Sequence, residues 1–295
     1  MTTPKAFGFS DAELAARPTA YRADLFAGKT VIVSGGGTGL GKAIAWLFGR
    51  LGANIAICGR KQEKLDAALA PMRAAGLTAE AWPCNIRRPE EVEAFLDAVT
   101  ARFGGFDMLI NNAGGQFPQP SIDFAPKGWL AVIETNLSGT WFMMQGAAKR
   151  WRDRGVPGSI VNIVTVTDRG MPGVAHTCAA RAGVVALSKT VAVEWAPLGI
   201  RINCVAPGSI ETDGMNVYTE EARQGFLKSN PMLHMGDAFD VAEACVYLGG
   251  ASGKFITGET LTVDGGGKLW GDFWAAGEPD YFRQARSRGG DDHGA

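Results

Sequence analysis

The chain of 295 residues predicts an α/β fold: a doubly wound parallel sheet in a single domain, with helices on both faces. Three observations predict it. Short apolar, β-branched runs alternate with helix-period segments from about residue 29 to residue 265. The strand-like runs are almost continuously apolar, as strands covered on both faces must be. The first of them ends in a glycine-rich turn that opens straight into a helical pattern.

"KTVIVSGGG" supplies the first strand, and "LGKAIAWLFGRLG" after it puts Leu40, Ile44, Leu47 and Leu51 on one helical face. "NIAICG" is the second strand. "QEKLDAALAPMRAAG" is the next helix, with Gly76 as its C-terminal stop. "AEAWPCNI", "FDMLINNAGG", "GSIVNIVTV", "IRINCVAPG" and "TLTVDGG" give five further strands, most of them separated by helical patterns. No internal repeat or composition shift marks a second domain. Residues 1–28 read as an appended arm with one short helical stretch, "DAELAARP". Residues 269–295 read as a polar, glycine-rich tail, mobile at its end.

Composition excludes several function classes. Lys plus Arg (29) against Asp plus Glu (30) gives a net charge of −1, so no basic field is available for nucleic acid or anionic lipid. No apolar run reaches the roughly 18 residues of a membrane span, and the N-terminal segment lacks an apolar signal stretch. Five cysteines without C-x-x-C spacing read as reduced, mostly buried thiols of a cytoplasmic protein. With three dispersed histidines (His176, His234 and His293), no metal site is expected.

The turn "VSGGGTGLGKAIA" carries Gly35, Gly39 and Gly41 in a G-x-x-x-G-x-G pattern between strand and helix. Glycines there let backbone N–H groups approach a pyrophosphate, and the helix N-terminus adds a favourable dipole. The second strand selects the dinucleotide. It ends "AICGRKQEK", with Arg60 and Lys61 where a carboxylate would hold the ribose hydroxyls of NAD. Cations at that place suit a 2′-phosphate, so NADP(H) is the expected cofactor.

On these motifs, residues 29–268 resemble the short-chain dehydrogenase/reductase superfamily, which implies a Rossmann-type sheet. "SGGGTGLG" is similar to its cofactor turn, implying contacts from Gly35, Thr38, Gly39, Leu40 and Gly41. "NNAG" is similar to its motif beside the adenine ribose, implying Asn112, Ala113 and Gly114. "CNI" puts Asn85 and Ile86 where the family has an acidic residue near the adenine. "APGSIET" is similar to the segment closing over the nicotinamide, implying Pro207, Gly208, Ile210 and Thr212. Asn136 in "ETNLSGT" matches the family's active-site asparagine.

The remaining catalytic positions depart from the pattern. The usual serine aligns with Thr165, the tyrosine with Thr177 and the lysine with Arg181, which the resemblance also places on the cofactor ribose. The four tyrosines stand at 21, 218, 247 and 281, so none replaces the missing one locally. "CNIR", "NNAGGQF", "KGW", "ETNLSGT" and "VAHTCAARAGV" resemble the peroxisomal-type trans-2-enoyl-CoA reductases and, less closely, the 2,4-dienoyl-CoA reductases.

Loss of the tyrosine argues against simple carbonyl reduction, because a threonine hydroxyl is a poor acid for an alkoxide. An enoyl thioester instead sends its charge to a conjugated oxygen, which first needs placed hydrogen-bond donors. Reduction of a C=C bond in an acyl thioester is therefore the expected reaction. An alcohol or carbonyl dehydrogenase, and a lapsed NADPH-binding protein, are the alternatives. His176 and Thr177 point about 100° apart on one helix and do not both face one atom. Segment 211–236 reads as a substrate lid, its Met215, Tyr218, Phe226, Met232 and Leu233 suited to an acyl chain. Tyr218 is the tyrosine that lid closure could deliver. The helix "RAGVVALSKTVAVEW" has apolar residues to spare, and the family's habit implies a homodimer or homotetramer.

Overall fold

The computed structural model describes residues 7–219, 223, 225–271 and 277–288. Seven strands form: β1 Thr30–Ser34, β2 Asn54–Gly59, β3 Ala79–Pro83, β4 Met108–Asn111, β5 Gly158–Ile163, β6 Ile200–Pro207 and β7 Thr260–Val263. All pair in parallel in one sheet of order β3-β2-β1-β4-β5-β6-β7. Each of the seven lies inside a segment expected from the sequence. The fold is a Rossmann-type doubly wound sheet.

The helices are α1 Asp11–Ala16, α2 Gly39–Arg50, α3 Gln62–Ala74, α4 Pro89–Phe103, α5 Pro126–Ile133, α6 Gly139–Arg154, α7 Ala175–Trp195, α8 Ala238–Gly249 and α9 Asp280–Arg288. Side chains alternate along β1: Val31 and Val33 enter one core, Ile32 the other. The first core is closed by α2, α3 and α8 through Ile44, Phe48, Leu65, Met72, Phe239 and Val246. The second is closed by α4, α6 and α7 through Phe95, Leu96, Met143, Trp151 and Val191.

Helix α2 is buried on more sides than its stripe predicts, taking in Ala43, Ala45, Trp46 and Phe48 as well. Helix α8 covers one side and the arm adds to it. Phe26 meets Phe48 edge to face at 4.8 Å, and Leu14 of α1 joins the same core. The arm is pinned by an ion pair of Asp11 with Lys42 at 2.6 Å and by another between Arg17 and Asp237, whose carboxylate also caps α8. The tail carries regular structure before its end. It forms α9, and Phe282 packs on Trp270 with ring centroids 5.1 Å apart. The end of the tail, expected to be mobile, lies outside the described residues.

The sheet order reverses direction between β1 and β4. A crevice opens outside the carboxyl ends of the strands at such a switch point, and ligands bind there. Among the described residues, no helix is long and apolar enough to cross a membrane.

Candidate active site

The crevice is a cleft of about 810 Å3, lined from the carboxyl ends of β4, β5, β6 and β7 and the start of α2. Of the sequence-derived residues, Leu40, Asn112, Gly114, Asn136, Thr165, Thr177, Arg181, Pro207, Gly208, Ile210 and Thr212 line it together. Thr38 and Gly39 line a smaller adjoining cavity of about 150 Å3, closed on its far side by Phe7, Gly8 and Phe9 of the arm.

The glycine turn is fixed by the backbone. Gly35 adopts φ +66° and donates its N–H to the Cys58 carbonyl at 2.8 Å. Asn112 Nδ2 bridges the Ser34 and Gly35 carbonyls at 3.0 and 3.2 Å, and Ser34 Oγ accepts the N–H groups of Asn112 and Ala113. A Cβ on Gly41 would collide with the Gly35 carbonyl oxygen and Asn112 Nδ2. Gly35 and Gly41 therefore shape the turn from beneath without lining the cleft. Ala113 also lies outside the cleft lining.

Arg60 and Lys61 follow β2, exposed, and their side chains make no hydrogen bond or ion pair among the described residues. Asn85 accepts the Arg87 N–H at 3.3 Å, and Ile86 is buried against Gly139. Arg60 and Lys61 are thus open to solvent past the end of β2, while Asn85 is part-buried and Ile86 buried past the end of β3, and none of the four lines the cleft.

Beneath the cleft floor runs a row that apolar-strand reasoning missed. Ser34, Asn111, Asn162 and Cys204 stand in register across β1, β4, β5 and β6. Asn111 Nδ2 donates to Asn162 Oδ1 at 2.9 Å, and Asn162 Nδ2 donates to Ser188 Oγ of α7 at 2.9 Å. Buried polar groups so paired tie the sheet to α7 at one register.

Helix α7 presents Thr177 and Arg181 one turn apart on the face toward the cleft. Opposite them, α5 runs into α6 through a π-helical turn at Glu134–Ser138 that carries Asn136. Such turns are frequent at functional sites. Asn136 is fully committed: Nδ2 donates to Thr177 Oγ1 and to the Gly115 carbonyl, and Oδ1 accepts the Gly115 N–H, each at 3.0 Å. Because Thr177 Oγ1 accepts from Asn136, its own hydrogen is free for a ligand.

Arg181 is buried, and its guanidinium lies against Gly114, where any side chain would meet Nη2. Nη1 has no hydrogen-bond partner among the described residues, and burial lowers the Arg181 pKa to about 10. The group is still a cation at neutral pH. A buried, unpartnered donor is costly unless a ligand completes it. Thr165, part-buried on the wall, makes no hydrogen bond among the described residues.

His176 turns away. Its ring stacks on Phe124 at 4.5 Å and meets Phe117 edge-on at 4.6 Å, outside the cleft. Burial lowers its pKa. Nδ1 accepts the Thr177 N–H at 2.7 Å, so the imidazole supports the helix start and does not face the ligand.

A glycine cradle, an orphaned guanidinium and a cleft of this size fit a nicotinamide dinucleotide, and the site is that of an oxidoreductase. The chain belongs to the short-chain dehydrogenase/reductase superfamily. Residues 35–268 match the family model described as enoyl-(acyl carrier protein) reductase. The chain is 35% identical over 243 residues to a probable 2,4-dienoyl-CoA reductase of Bacillus subtilis, covering 81% of this chain and 96% of that one. It is 37% identical over 252 residues to 3beta-hydroxysteroid dehydrogenase 1 of Eggerthella lenta, covering 83% and 96%. Among solved structures, a citronellol catabolism dehydrogenase of Pseudomonas aeruginosa superposes with TM-score 0.76 at 34% identity, covering 85% and 99%.

Proposed function

We propose that the protein is an NADP(H)-dependent reductase of the C=C bond of an enoyl thioester. The observation that carries this reading is Thr177: an aliphatic hydroxyl, held by Asn136 with its hydrogen free, one turn from Arg181. A donor of that kind suits an oxygen that accumulates charge by conjugation better than an alkoxide demanding a full proton. The 2,4-dienoyl-CoA reductase relative supports an acyl thioester as substrate.

When bound, the nicotinamide supplies the hydride. The chain's own residues do the rest. Thr38, Gly39 and Leu40 would receive the pyrophosphate at the start of α2, on a turn shaped by Gly35 and Gly41, and Arg181 Nη1 would find an acceptor on the ribose. Asn112, Ala113 and Gly114 flank the adenosine side, with Asn85 and Ile86 near the base. Arg60 and Lys61, exposed and unpaired, receive a 2′-phosphate. Pro207, Gly208, Ile210 and Thr212 close over the nicotinamide, and 211–236 closes over the substrate. Thr177, with Thr165 beside it, orients the thioester oxygen and stabilises its charge; one such donor is typically worth about 3 kcal/mol. Val164, Val166, Met171, Met215 and Phe226 on the cleft wall exclude water around the acyl chain.

A homo-oligomer in the cytoplasm, working in fatty-acid metabolism, completes the reading. Val193 of α7 is 77% exposed, which supports a partner surface on that helix.

Purified protein given a trans-2-enoyl-CoA or a 3-oxoacyl-CoA of equal length should oxidise NADPH only with the former. NADPH should outperform NADH, and Arg60→Ala should narrow that preference about tenfold. The second reading, an alcohol or carbonyl dehydrogenase, is favoured by the hydroxysteroid dehydrogenase relative; oxidation with the 3-oxoacyl-CoA alone would establish it.

A further inference from the structure

Donors at the thioester oxygen leave one demand unmet, a proton for the carbon beside the carbonyl. The groups lining the cleft narrow the choice. Thr165, Thr177, Ser209 and Ser229 offer aliphatic hydroxyls, which are very weak acids, and the two serines bond each other at 2.8 Å. Asp264 accepts the N–H groups of Gly266 and Lys268 at 2.9 and 2.6 Å, and is committed as an acceptor. Lys268 Nζ donates to Thr262 Oγ1 at 3.2 Å, and Arg169 donates to the Gly267 carbonyl at 3.2 Å. One phenol lines the cleft among the described residues, Tyr218 on the 211–236 segment.

Its placement is tied to the catalytic residues. Thr177 bonds Asn136, Asn136 grips Gly115 through both main-chain groups, and the next residue, Gln116, donates Nε2–H to Tyr218 Oη. Phe226 backs the ring edge to face at 5.0 Å. Since Oη accepts from Gln116, the phenol's hydrogen is uncommitted and has the cleft before it.

We infer that Tyr218, oriented by Gln116, is the general acid that protonates the α-carbon, in place of the tyrosine missing at position 177. The inference rests on the enoyl-thioester reading. With the β-carbon reduced, the electron pair of the enolate forms the new Cα–H bond as the Tyr218 O–H bond breaks. The phenolate recovers its proton from water. Burial raises the Tyr218 pKa and the Gln116 donor draws it back, so the residue holds its proton at neutral pH.

The test is the reduction of trans-2-octenoyl-CoA by NADPH in D2O, with the product examined by NMR. The wild type should deuterate one face of Cα. Tyr218→Phe should lower kcat about 100-fold, within the range of a lost general acid, and spread deuterium over both faces. NADPH affinity, read by fluorescence, should stay within twofold, showing an intact fold. Gln116→Leu should give a smaller loss with the same scrambling. Deuterium confined to one face in Tyr218→Phe, at any rate, overturns the inference alone, because another fixed group then supplies the proton. So does scrambling in the wild type. A wild type inert on every enoyl thioester overturns the functional reading and this inference with it.

Discussion

On the cofactor side of the cleft the chain is held by its own backbone; on the substrate side it is held by side chains that reach across the fold. The glycine turn is clamped by the Gly35–Cys58 main-chain bond and by Asn112, whose partners are carbonyl oxygens. The substrate wall depends on Gln116 with Tyr218, Ser209 with Ser229 and Arg169 with the Gly267 carbonyl. The first side is a fixed template for one ligand shape. The second is assembled from exposed and part-buried loops, the kind of region that opens at low free-energy cost. On the proposed function, selectivity for the cofactor and adaptability toward the substrate would be separated in space.

The sharpest way to break this contrast is Gly41→Ala. The new methyl has nowhere to go between the Gly35 carbonyl and Asn112, so the turn must shift. Overpacking of this kind costs about 1–3 kcal/mol in stability. The larger effect is expected on binding, a loss of at least about tenfold in NADPH affinity by fluorescence titration, since backbone N–H groups leave their positions. A variant that binds NADPH normally would show that the template is not rigid.

Arg181 stands where the two sides meet, and its substitution sharpens the comparison. A buried cation with no ion-pair partner among the described residues is a stability cost that the ligand is expected to relieve. Arg181→Met keeps the length and removes the charge. Turnover should fall about 100-fold, while the ligand-free thermal midpoint should rise by about 2–4 °C for each 1 kcal/mol recovered. A midpoint that drops instead would make the guanidinium a strut of the fold.

How much of this was legible in the sequence follows the same division. Strands and the glycine turn could be read because period and turn chemistry are local; Thr177 and Arg181 were singled out by the family resemblance, and the structure sets them one turn apart on the cleft wall. The π-helical turn at Glu134–Ser138 left no such trace: "ETNLS" sits inside an uninterrupted helical stretch, and only Asn136's demand for Gly115 and Thr177 accounts for its use. Gln116 is 102 residues from Tyr218, beyond the reach of any periodic argument. The hydrogen-bonded chain from Asn111 through Asn162 to Ser188 was hidden among apolar neighbours, although two asparagines in buried strands were themselves a signal of a paired network. The arm's grip on α2 and α8 escaped for a simpler reason: aromatic and ionic contacts from a short segment carry no pattern.

The smallest expected effect concerns pH, and it tests whether His176 belongs to the scaffold. Its Nδ1 accepts the Thr177 N–H, and burial holds its pKa below the ordinary value of about 6.5. Below that value the unfolded chain binds a proton that the native imidazole refuses. The unfolded state then holds more protons, so stability is intact above about pH 6.5 and declines as pH falls toward the native pKa. His176→Phe fills the same aromatic cage without a titrating group, and Thr177 N–H keeps its second acceptor, the Val174 carbonyl at 3.0 Å. Urea unfolding at pH 7.5, 6.5 and 5.5 should show the wild type losing more stability than the variant as pH falls, the difference opening below about pH 6.5. His234 and His293 are common to both proteins and cancel in the difference. Parallel pH profiles would mean that the imidazole is not held neutral in its cage, and that His176 must be reconsidered as a group able to exchange protons beside Thr177.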